Sequence, residues 1–100
     1  MKIRAVAFSP KARNDLMQLY DWIADAAGAH VAIAYIERLE AYCLGLAVAS
    51  ERGTRRDDLR TGLRILGFEK RVTIAFLVNA HDVLILRLFY GGQSWEALPL

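Results

Sequence analysis

The sequence holds one cysteine, Cys43, and two histidines, His30 and His81, and these small numbers exclude a good deal. One thiol leaves no internal disulfide and cannot by itself build a metal site. Cys43 falls in a helical pattern, where a free cysteine is ordinarily a small buried hydrophobe. No His, Cys and carboxylate group has metal-ligand spacing, so zinc chemistry and nucleophilic catalysis find no candidates and no cofactor is expected. His30 falls at a helix start and His81 in a turn. Neither glycine pattern of the phosphate-binding loops surrounds Gly91 and Gly92, which read as a sharp turn. Asp57 and Asp58 are adjacent, do not share a helical face and make a poor acid and base pair. No apolar run approaches the roughly 18 residues of a membrane span. The opening MKIRAVAFSP lacks the apolar segment and cleavage site of a signal peptide, which predicts a cytoplasmic protein.

What is present is apolar and patterned. With 55% hydrophobic and 24% charged residues, residues 1–100 are expected to form one compact domain with a real core. Its centre is RVTIAFLVNAHDVLILRLFYGGQSW, from Arg71 to Trp95: two strand-like runs flank Asn79, Ala80, His81 and Asp82, which favour a turn. In the first run Val72, Ile74, Phe76 and Val78 oppose Thr73, Ala75 and Leu77. In the second, strict alternation sets Val83, Ile85 and Phe89 against Leu84, Leu86 and Leu88. Both faces are therefore mostly apolar. Arg87 interrupts the second run, where a charge is costly unless it is paired or reaches water.

Upstream, Lys2 to Phe8 alternates as a short strand. Ser9 as N-cap and Pro10 at the first helical position then open a helix carrying Leu16, Leu19, Tyr20 and Ile23 and ending at Gly28. A second helix from about His30 shows the stripe Ala32, Ile36, Leu39, Cys43 and Leu46, and the short link predicts an antiparallel helical hairpin. Ser50 to Gly62 reads as a polar loop, and Leu63 to Phe68 as a strand in which Gly67 marks a bulge or a close approach. The predicted fold is α+β, in the order β-α-α-β-β-β, with the helical hairpin on one face of an antiparallel sheet. The other sheet face is also apolar and must be covered by the C-terminal tail or another chain.

The net charge of +2 is unevenly spread. Between residues 52 and 71, Arg52, Arg55, Arg56, Arg60, Arg64, Lys70 and Arg71 stand against Asp57, Asp58 and Glu69. Such a patch suits phosphates or an acidic protein surface, or is a solvated loop with local ion pairs. The surviving catalytic option is a metal-independent ribonuclease. Arg64 and Arg87 would stabilise the transition state and Tyr90 or His81 would move protons. Packing is the simpler role for Tyr90, and a place in the turn for His81.

Three segments carry a resemblance: FSPKARNDLMQLYDWIA, RRDDLRTGLRILGFEKRVTIAFLV and VLILRLFYGGQSWEAL. Over roughly residues 2–98 the chain resembles ParE toxins of the RelE/ParE superfamily of bacterial type II toxin-antitoxin systems. The resemblance implies the same strand, helical hairpin and three-stranded sheet. It also implies a toxin that inhibits DNA gyrase and is neutralised by a cognate antitoxin whose disordered part folds onto the toxin's apolar surface. No membrane partner and no sequence-specific DNA binding by this chain alone are expected. The RelE branch instead cleaves messenger RNA on the ribosome, commonly with a tyrosine in a basic C-terminal segment. Here the chain ends GGQSWEALPL, without lysine, arginine or tyrosine, so the non-enzymatic branch is expected and the RelE-type ribonuclease is the alternative. Arg56, Arg60, Arg64, Arg87 and Trp95 are the candidate contacts to target or antitoxin. The alternative roles are a structural salt bridge for Arg87 and a core cap for Trp95.

Overall fold

The computed structural model describes residues 3–91. Strand β1 (Ala5–Phe8) leads into helix α1 (Pro10–Ala27), helix α2 (Ala29–Leu44) and a 3-10 turn at Gly45–Ala47. A two-residue strand β2 (Thr54–Arg55) then precedes β3 (Leu63–Phe68), β4 (Val72–Val78) and β5 (Asp82–Tyr90). No helix among the described residues is long and apolar enough to cross a membrane.

Helix α1 starts where its sequence requires. The Ala12 N–H donates to Ser9 Oγ at 3.0 Å, satisfying one of the free amides of the first turn, and Pro10 supplies a residue with no amide to satisfy. Such a cap stabilises by about 1 kcal/mol. Gly28, at φ 96°, ends α1 and opens α2 in a backbone region that costs other residues strain, so the two helices fold back within one residue. Their stripes meet the sheet through Leu19, Tyr35, Leu39, Cys43 and Leu46, packed on Val72, Ile74, Phe76, Val83, Ile85 and Leu88. Burial, with Glu40 adding to it, pushes the Cys43 thiol up to about 12, in keeping with an inert packing role.

The sheet order is β1-β5-β4-β3-β2. The three C-terminal strands form the expected antiparallel meander, but β1 pairs parallel with β5, so the sheet is mixed and not antiparallel throughout. The physical reason is the helical hairpin. It crosses the sheet and returns the chain so that β1 runs alongside the last strand. A short β2 also emerges from the predicted loop, paired with β3 through Thr54 and Arg55.

The bulge is not at Gly67, which lies in regular register opposite Thr73. It lies between β4 and β5, where Phe76 pairs with Ile85 but Ala75 pairs with Arg87, leaving Leu86 as the extra residue. The inserted residue reverses the alternation after it. Leu88 joins Val83 and Ile85 on the helix face, while Phe89 joins Leu84 and Leu86 on the other, the reverse of strict alternation. On that second face Leu63, Ala75, Leu86 and Phe89 form a separate buried cluster. These four residues of the apolar face expected to need cover are buried, while Ile65, Leu77 and Leu84 beside them are only partly so.

Candidate functional site

The first site is built around Asp15. Its spacing from Ala12 and Leu19 places it on the buried stripe of α1, and it is 5% exposed. β1 accompanies β5 only from Asp82 to Ile85, so beyond that point no strand among the described residues pairs with β5 on this side. Side chains of α1 take the place of the missing strand. Ser9 Oγ donates to the Leu86 carbonyl at 2.8 Å, and the Leu88 N–H donates to Asp15 Oδ2 at 2.9 Å. The same carboxylate receives Arg87 in a fork, Nε to Oδ2 at 2.8 Å and Nη2 to Oδ1 at 3.2 Å. The Arg87 guanidinium also lies 4.9 Å from the Phe89 ring centroid. The charge within the apolar strand is therefore paired, bidentate and largely buried.

The second site is the arginine-rich pole formed by residues 51–64 and the strand ends beside it. Gly53, at φ 78°, passes so close to β3 that a Cβ would be driven into the Ile65 carbonyl. Asp57 then ties the loop down, accepting from the Gly62 N–H at 2.8 Å and from Arg55 Nη2 at 3.3 Å. The Gly62 amide first, then Arg55, hold its carboxyl below the usual carboxylate range. Asp58 is lowered mainly by Arg56, whose Nε and Nη2 approach it at 3.0 and 2.9 Å. Arg64 Nη1 reaches the Arg52 carbonyl at 3.4 Å, and Arg52 in turn donates to the Tyr42 hydroxyl at 3.0 Å. From the other end of the chain Arg4 joins the pole, donating to the Asn79 carbonyl at 2.8 Å and Ser50 Oγ at 3.0 Å. Arg4, Arg55, Arg64, Glu51, Gly62 and Asn79 line most of a cavity of about 340 Å³.

The helical hairpin supplies a third surface. Met17 and Trp22 on α1, with Val31, Ile33 and Leu44 on α2, are large apolar side chains left exposed. One groove of about 420 Å³ runs between the helices over Leu16, Met17, Tyr20 and Ile36, rimmed by Arg13, Asp21 and Glu40. Another, of about 370 Å³, lies at the hairpin tip between Trp22, Val31, Tyr35 and Tyr90. There the tight turn after β3 puts Glu69 and Lys70 at positive φ, and a forked Arg38–Glu69 pair anchors the turn to α2.

Of the residues singled out from sequence, Arg56, Arg60 and Arg64 fall together at the pole. Arg60 is exposed and has no side-chain partner among the described residues. Arg87 is not with them. Arg64 pairs with Phe76 of the helix-face core and Arg87 with Ala75 of the opposite cluster, so the two arginines start from opposite faces of the sheet. His81 is exposed, and Tyr90 packs against Trp22 at 5.5 Å between ring centroids. Trp95 lies outside the described residues. Among those residues no group of His, Cys, Asp and Glu could hold a metal ion. Sequence reasoning missed Asp15 and Arg4. Asp15 had a readable signal, a carboxylate three residues after Ala12 and four before Leu19. Arg4 had none, because only the fold brings it beside the loop.

Comparison with known proteins adds three findings. Residues 6–95 match the family model described as ParE toxin of type II toxin-antitoxin system, parDE. Toxin ParE3 of Caulobacter vibrioides is 32% identical over 84 residues, covering 84% of this chain and 83% of that protein. A solved chain described as "Chromosomal ParDE TA system from P. aeruginosa" has the same fold. Its TM-score is 0.77 at 23% identity, over 88% of this chain and 96% of that one.

Proposed function

The chain belongs to the ParE toxin family of type II toxin-antitoxin systems, and from that membership we propose that it inhibits DNA gyrase and is neutralised by a cognate antitoxin. The family match across residues 6–95 carries this reading. It spans both the arginine-rich pole and the β5 strand, and residues 1–100 act in it as one cytoplasmic toxin domain.

The geometry supports inhibition by binding and not by cleavage. A ribonuclease needs its cations gathered on one face around the scissile phosphate. Arg64 and Arg87 start from opposite faces, and Arg87 is engaged by Asp15. The exposed apolar side chains of α1 and α2 and the groove between them suit a disordered antitoxin segment that folds on contact.

Supercoiling of relaxed plasmid by purified gyrase tests the target. Stoichiometric toxin is expected to suppress supercoiling, and full supercoiling in the presence of excess folded toxin overturns the reading. Neutralisation is tested by co-expressing the cognate antitoxin, which is expected to restore growth.

A further inference from the structure

The cavity at the arginine-rich pole has a chemistry that the proposed function leaves unused. We infer that Arg4, Arg55 and Arg64 form a docking site for the phosphodiester backbone of duplex DNA, engaged by charge and not by base sequence. On the gyrase reading, on which this identification of the duplex rests, that DNA is the segment held by the target.

Charge comes first. Arg4, Arg55 and Arg64 face Glu51 across a cavity of about 340 Å³, and Asp57 beside it pairs with Arg55 in a fork, so the guanidiniums still exceed the carboxylates. A guanidinium carries five N–H donors, and the contacts of Arg4 to Asn79 and Ser50 and of Arg64 to Arg52 leave most of theirs unused. The same contacts hold the side chains in place, as does the Asp57 link between Arg55 and Gly62, so less side-chain freedom is lost on binding.

The lining then decides between anionic partners. Among the described residues that line it, only Val78 and Ala80 are apolar and none is aromatic. A protein interface centres on apolar and aromatic side chains, and single-stranded nucleic acid is held by stacking on aromatic rings; this cavity offers neither. Backbone phosphates of a duplex need only fixed cationic donors.

The experiment is fluorescence anisotropy of a labelled mixed-sequence duplex with the purified toxin over a range of salt. Three phosphate contacts predict a slope of log K against log salt of about −2.7, at roughly 0.9 per contact. Arg55→Gln and Arg64→Gln are each expected to reduce that slope by about 0.9 and to weaken binding roughly eightfold in 0.1 M salt, equally for all sequences. Arg38→Gln, in the turn-anchoring pair, should leave both unchanged. Circular dichroism confirms folding of each variant, and Arg55, at the surface, carries the test if Arg64→Gln unfolds. Absence of duplex binding at low salt, or a slope untouched by both variants, overturns the site. So does competition by polyglutamate as strong as that by unlabelled duplex of equal charge, which would assign the pole to an acidic protein. Supercoiling assays keep the two proposals apart: duplex binding by a toxin that leaves gyrase active removes the target and keeps the phosphate site.

Discussion

Two groups of arginine and aspartate in this molecule use the same chemistry to different ends. Asp15 and Arg87 meet across 72 residues of chain, with side chains 7% and 17% exposed. In the loop, Arg55 and Asp57, and Arg56 and Asp58, are two residues apart, and the aspartates are half exposed or more. Water already reaches the loop carboxylates, so joining these pairs gains little. At the β5 edge the Asp15 carboxylate is nearly buried, and removing it takes a charged acceptor from Arg87 and the acceptor of the Leu88 amide. The buried pair holds the architecture together. The loop pairs orient donors that remain at the surface.

Asp15→Ala would break this contrast most severely. It should cost about 3–5 kcal/mol, the range for removing one partner of a buried ion pair, read as a lowered midpoint in urea unfolding. A loss below 1 kcal/mol would mean that water replaces the carboxylate at the strand edge. Gly53→Ala ranks next. Positive φ and collision with the Ile65 carbonyl predict a loss of about 1–3 kcal/mol, with the damage confined to amide protection in the loop and β3.

Acid should sharpen the difference further. Asp57, Asp58 and Glu69 all have folded pKa values below their ordinary ones, so each contributes stability that is present above about pH 4 and lost as pH falls through its folded value. A modest fall in thermal midpoint below pH 4 is expected, shrinking in high salt. The smallest effect belongs to Asp58→Ala, whose carboxylate is exposed. Its unfolding midpoint should match the parent within error, and a clear drop would show the loop pairs to be structural after all.

Much of the fold was legible beforehand for reasons that are local. Ser9 and Pro10 announced the start of α1, the stripe Ala32, Ile36, Leu39, Cys43 and Leu46 is buried except at Ile36, which is half-buried beside a buried Tyr35, and β4 alternates as written. The site was less so. Arg56, Arg60 and Arg64 were found because they cluster in sequence, whereas Arg4 joins the pole only through β1. Arg87 reads from sequence as either a functional contact or one half of a structural salt bridge, and the structure shows the salt bridge, with a partner, Asp15 of α1, that no local pattern identifies.

The sequence by itself determined the elements, their order and their apolar faces, since helix and strand periodicity are properties of a few adjacent residues. Only the tertiary structure decided that β1 runs parallel to β5, that Leu86 is inserted as a bulge, and that Asp15 completes the strand edge while holding Arg87. The first and the last of these depend on groups more than 70 residues apart in the chain, such as Asp15 and the Leu88 amide, 73 residues apart, whereas the bulge is set where the neighbouring strands β4 and β5 pair. Strand pairing and burial are set by which surfaces meet, and no local pattern records that.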